Sequence, residues 1–104
     1  MLDQADAEQF SPLTGQACTM SLPDGSSLTV QIEGTWLSPK ARNPHAASPR
    51  TPFTLGLVAE ANEFVAGPCH LRHQDRALLE NAYVSRVAPA GRDPSKAYYE
   101  VIFN

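Results

Sequence analysis

Nowhere in the 104 residues does an apolar run approach the roughly 18 needed to span a membrane. The first eight residues, Met1-Leu2-Asp3-Gln4-Ala5-Asp6-Ala7-Glu8, carry no base and no apolar stretch behind them, so they do not form a secretory signal. Both absences point to the cytoplasm and away from a membrane partner. Bases are scarce too: Lys and Arg number 8 against 11 acids, for a net charge of −3. Binding nucleic acid through its phosphates needs a dense basic surface, so nucleic acid is not an expected partner. Two cysteines, Cys18 and Cys69, are too few for a disulfide framework. They read as buried thiols, with a cross-strand disulfide as the lesser alternative.

Catalytic patterns are missing as well. The chain has no Gly-x-Ser-x-Gly, no Gly-rich phosphate loop and no P-loop lysine. Glu60 and Glu63 sit in a polar turn, where solvation accounts for them. Cys69, His70 and His73 are the one cluster of metal-ligand types. In a strand, however, His70 and His73 take opposite faces, and Cys69 and His73 lie about 13 Å apart on one face. Zinc ligands lie about 2.0–2.3 Å from the metal, so one ion cannot bridge them. No enzyme activity, metal or cofactor is expected.

What the chain does have is alternation. Cys18, Met20 and Leu22 are apolar with polar residues between, as are Leu28, Val30 and Ile32, and Pro23-Asp24-Gly25 supplies a turn between the two runs. This is a hairpin with one oily face, and it needs further strands to cover that face. Gly34 inside the second arm predicts a bulge or sharp bend. Trp36, the only tryptophan, is expected in the core or at its rim. Phe53, Leu55 and Leu57 alternate inward, and Ala59 to Glu63 makes a polar connection of hairpin length. After a break at Gly67-Pro68, Cys69, Leu71 and His73 share one face of another strand. Ala77 to Asn81 reads as either a helical turn or a strand, Ala82 to Val87 as a strand. Tyr99, Val101 and Phe103 point inward from the last one. Ahead of all this, Asp3 to Phe10 suits a short helix that caps one end, pinned by Phe10 and Leu13.

The expected fold is therefore all-β: a small antiparallel barrel or sandwich of six to seven short strands with a short N-terminal helix, one domain over 1–104. Ser38 to Pro52 is a long Pro-rich loop without a large apolar side chain. It holds three bases, whereas residues 1–38 hold five acids and no Lys or Arg. Lys40, Arg42, His45 and Arg50 in this loop are the expected contacts to an acidic partner surface.

Several short motifs together resemble the small bacterial domain-of-unknown-function family number 6916. These are Phe10-Ser11-Pro12-Leu13-Thr14-Gly15, the hairpin Asp24-Gly25, Pro52-Phe53-Thr54-Leu55, Gly67 to His73 with its Leu71-Arg72-His73, Val87-Ala88-Pro89-Ala90-Gly91, and the final Tyr99-Glu100-Val101-Ile102-Phe103-Asn104. Cys18 and Ser85-Arg86 depart from that pattern. The resemblance implies no catalytic residues. It implies an accessory or assembly role beside tail-collar-type fibre proteins.

The function expected is that of a non-enzymatic protein-interaction domain with exposed strand edges, and self-association is left open. The alternative is a barrel that holds a small apolar ligand, lined by Trp36, Phe53, Leu71, Tyr99 and Phe103.

Overall fold

Alternating runs of this length form strands because one pleated face can bury its apolar side chains while the other stays wet. The computed structural model describes residues 7–37 and 52–103 and contains six such strands. They are β1 (Ala17–Ser21), β2 (Ser27–Leu37), β3 (Phe53–Glu60), β4 (Ala66–His73), β5 (Arg76–Val87) and β6 (Lys96–Phe103). Ahead of them stand one turn of helix, α1 (Ala7–Phe10), and a 3-10 turn over Ser11–Leu13.

The strands close into an antiparallel barrel in the order β1-β2-β3-β6-β5-β4, with β4 returning to β1. Three consecutive strands, β4, β5 and β6, follow one another as neighbours, and β3 lies beside β6; this is a Greek key. Of the two architectures open to the sequence, the barrel is the one formed. Among the described residues it leaves no strand without a partner on either side. The exposed edges expected from the sequence are therefore absent, apart from a seam where β5 pairs β6 only over Ser85–Val87.

The first hairpin forms in the expected register, with Cys18 opposite Val30 and Met20 opposite Leu28. Gly25 takes φ 91° in its turn, a conformation costly to any residue with a Cβ. The Ser26 amide and hydroxyl both donate to Asp24 Oδ1, at 2.9 and 2.5 Å, which holds that exposed carboxyl below its ordinary range. The β5–β6 turn repeats the device, with Ser95 donating to Asp93 at 2.9 and 2.7 Å.

Bulges account for the departures from the expected faces. Between Ile32 and Gly34 the β2–β3 register shifts by one residue. Strict alternation from Ile32 would send Trp36 inward. After the shift it is Thr35 and Leu37 that oppose the inward Leu55 and Phe53, and Trp36 opposes Thr54 on the outer face. Trp36 is 48% exposed and not part of the core.

Two further shifts, against β4, fall within Ala77 to Ala82, so this stretch is strand and not a helical turn. Neighbours Leu78 and Leu79 are both buried there, and Asn81, at φ 54°, turns its amide onto His70 Nδ1 at 3.1 Å. The Gly67-Pro68 break is likewise a paired part of β4. Pro68 is tolerated because β1 pairs β4 only from His70 onward.

Each end of the barrel is closed by an aromatic ring. At one end Phe10 is fully buried, 6.1 Å from the Phe53 ring and 5.9 Å from that of Phe103. At the other, residues 61–65 do not make a hairpin, since β3 and β4 are not neighbours. They cross the barrel mouth, and Phe64 rests on Tyr99 with ring centroids 5.7 Å apart. The Tyr99 hydroxyl lies 2.8 Å from Asn62 Oδ1 and 3.0 Å from the Phe64 carbonyl.

Cys18 and Cys69 are both buried and free. Continuing the β1–β4 register from Thr19 opposite Arg72 sets Cys18 level with His73, four residues along β4 from Cys69. That is about 13 Å, beyond the reach of a disulfide.

Two stability predictions follow from this packing. Phe10→Ala empties one end of the barrel and should cost roughly 3–5 kcal/mol in urea unfolding. Burial also pushes both thiols above their ordinary pKa. Their contribution is therefore intact below about pH 8.5 and is lost as pH rises toward the raised folded value. Urea midpoints should fall between about pH 8 and 10, and part of that slope should vanish in a Cys18→Ala, Cys69→Ala double variant.

Candidate functional site

The barrel interior is occupied by side chains. Of the inward set expected to line a ligand cavity, Phe53, Leu71, Tyr99 and Phe103 are all buried within one cluster, and Phe53 and Phe103 stack at 4.5 Å. The fifth member, Trp36, is outside. The described residues therefore direct attention to the outer surface.

Trp36, Thr54 and Ile102 form one row across β2, β3 and β6, since Trp36 pairs Thr54 and Thr54 pairs Ile102. Tyr83 and Ile102 stand two residues beyond the last β5–β6 pair, Ser85 with Glu100, and so flank the seam at the same level. Ile102 is 62% exposed and Tyr83 64%. Scattered single apolar residues on a surface are ordinary, but here three spring from one level, two of them aromatic, and make a band in which the indole leans toward the Gly56–Glu100 pair.

The indole has a built seat. Gly34 pairs Gly56, and the six-membered ring of Trp36 covers both. A Cβ at Gly56 would fall 2.6 Å from Trp36 Cη2 and closer still to Cζ3. Glycine at this place in a central strand forgoes a side chain to let the ring approach the backbone. One face of the indole is thereby used and the other remains toward solvent.

Beside the ring lies a shallow hollow of about 430 Å3, lined by Glu33, Trp36, Ala90, Arg92 and Glu100. Arg92 is fully engaged. It pairs with Glu33, donates from Nε to the Pro89 carbonyl at 2.6 Å and from Nη2 to that of Ala88 at 3.2 Å, and sits 4.0 Å above the Tyr98 ring. The Tyr98 hydroxyl donates to the Asp93 carbonyl at 3.1 Å. Tyr98 is on the outward face of β6 but only 4% exposed, because the loop before β6 folds back over it. Arg92 thus fixes this loop against the bulge in β2, and among the described residues Glu100 is the charge at the hollow without an ion-pair partner.

Of the residues expected from the sequence to bind a partner, Lys40, Arg42, His45 and Arg50 all lie outside the described residues. The segment that carries them starts just after Leu37 and rejoins the barrel at Phe53, and those two residues are paired. The Trp36 band was missed from sequence. The signal was present in Gly34 and Gly56, whose pairing only the fold reveals.

Among the described residues, no group of three or more His, Cys, Asp or Glu is placed to hold a metal, and no helix is long and apolar enough to cross a membrane. Compared with known proteins, the chain matches no family model, no curated protein and no solved structure.

The seat of Trp36 can be checked by fluorescence, since this is the only tryptophan. Gly56→Ala should lift the ring, shifting its emission to the red. The stability change should differ by about 1 kcal/mol from that of the same substitution made in a Trp36→Ala background, where the slot is empty.

Proposed function

We propose that the protein is a non-enzymatic interaction domain, an accessory in assembly, which docks another protein through the outer band of Trp36, Ile102 and Tyr83. The observation that carries this reading is the half-exposed Trp36 seated on Gly56. Trp and Tyr are enriched among the residues that dominate binding energy at protein interfaces. A ring already held in place loses little freedom when a partner covers it. Glu33, Arg92 and Glu100 supply a polar rim on one side, in keeping with interface anatomy.

Strand addition is the weaker mode for such a partner. Most of each strand is already paired, and the free length of β5 at the seam is bulged and carries the exposed Glu80 and Asn81. Both features discourage edge pairing. Contact through side chains is favoured instead.

The basic segment suits the same surface. Lys40, Arg42, His45 and Arg50 follow Trp36 in sequence, Lys40 four residues on. A partner that offers an apolar spot ringed by acids would satisfy both the band and these bases, which would steer its approach. The kind of partner proposed, on the motif resemblance to family 6916, is a tail-collar-type fibre protein.

The test is co-purification from the native host with the wild-type chain and with variants. Wild type should recover a specific protein. Trp36→Ala should weaken that complex by more than tenfold while the folded spectrum is kept, as expected for loss of an anchoring aromatic residue. Changing Lys40, Arg42 and Arg50 together to Glu should weaken it in a salt-dependent way. A partner retained undiminished by Trp36→Ala would overturn the reading.

A further inference from the structure

The barrel end remote from Trp36 carries a second, separate feature. Leu28 and Trp36 are eight residues apart on β2, roughly 25 Å. Near Leu28 the β1–β2 turn and the crossing segment 61–65 face one another over a cleft of about 530 Å3. Its floor is apolar, made by Leu22, Leu28 and Phe64, each partly buried against the core. Its rim carries two carboxylates, Asp24 and Glu63, and among the described residues no Lys, Arg or His lines it. Among the described residues neither acid has a basic partner.

Both walls are fixed. Pro23 is seated on Gly67, where a Cβ would come within 2.8 Å of Pro23 Cγ, and Leu22 donates its amide to the Ser26 carbonyl at 2.8 Å. On the other side Asn62 accepts from the Phe64 amide at 2.9 Å, and Arg86 donates to the Asn62 carbonyl at 2.7 Å. A cleft held open in this way spares a ligand the cost of ordering it.

We propose that this cleft binds a small organic cation, with an ammonium or guanidinium head between Asp24 and Glu63 and an alkyl or aryl body on Leu22, Leu28 and Phe64. An anion would meet two like charges there, and a neutral apolar molecule would engage neither carboxylate. The volume lies within the roughly 300–1,000 Å3 of small-molecule sites. This site stands apart from the Trp36 band and does not depend on the docking function assigned to it.

Amide NMR on the 15N-labelled full chain tests the proposal, with phenethylammonium as the probe. Saturable shifts should appear at residues 22–28 and 62–66 and weaken with added salt. Phenethyl alcohol should bind more weakly, and 3-phenylpropionate should leave these signals unmoved. Glu63→Gln replaces an exposed side chain and should weaken phenethylammonium about two- to fivefold, the scale of an exposed ion pair, with the other amide signals unchanged. Trp36→Ala should leave the affinity as it was. The proposal fails if no shift appears, if the alcohol binds as well as the ammonium, if the shifts lie elsewhere, or if Glu63→Gln has no effect.

Discussion

A sheet of six short strands that closes on itself removes its edges but creates two open ends, and each exposes the core to water unless something covers it. In this protein both covers are aromatic rings brought from outside the sheet: Phe10 ahead of β1, and Phe64 between β3 and β4. The second cover decides the topology. Because residues 61–65 must lie across the mouth, β4 begins on the far side of the barrel from β3, and the Greek key follows. The Tyr99 hydroxyl holds that crossing through Asn62 and Phe64, and so a residue of the last strand secures the connection between the third and the fourth.

With the interior filled, recognition is left to the outside, and the outside is not uniform. One level presents Trp36, Ile102 and Tyr83. The opposite end presents a cleft with two acids over an apolar floor. In both places a glycine takes up a neighbouring ring: Gly56 beneath Trp36, and Gly67 beneath Pro23. Arg92 does comparable work through charge, tying the loop ahead of β6 to the bulge in β2 while covering Tyr98. These contacts make surface features rigid that would otherwise be ordinary loops and side chains.

The inward faces of β1, β3, β6 and the first half of β2 were legible in the sequence because an apolar residue recurs there at every second position. This holds even where, as at Tyr98 and Ile102 in β6, others stand between. Met20, Phe53, Leu57 and Val101 lie where that alternation places them. Bulges defeated the rest. One extra residue near Gly34 reverses the phase of everything after it, which is why Trp36 reads as core and lies outside. In β5 two extra residues bury Leu78 beside Leu79, a pair that no period of two can accommodate. The crossing at 61–65 has the length and composition of a hairpin connection. Only the distant Tyr99 distinguishes the two. The Arg92–Glu33 pair spans 59 residues and carries no local signal at all.

The place of β6 in the barrel also bears on how the chain is made. β3 finds its second neighbour only in β6, and both ends of the barrel depend on rings from that strand, Phe103 with Phe10 and Tyr99 with Phe64. During synthesis the first hairpin and β3 emerge with Met20, Val30, Ile32 and Leu57 on an uncovered face. They wait in that state until the sixth strand leaves the ribosome. Closure of the barrel has to await that strand, in keeping with the slowness of folds built on distant pairings. A nascent chain stalled before Lys96 would be a half-made sheet with a sticky side, a natural client for a chaperone.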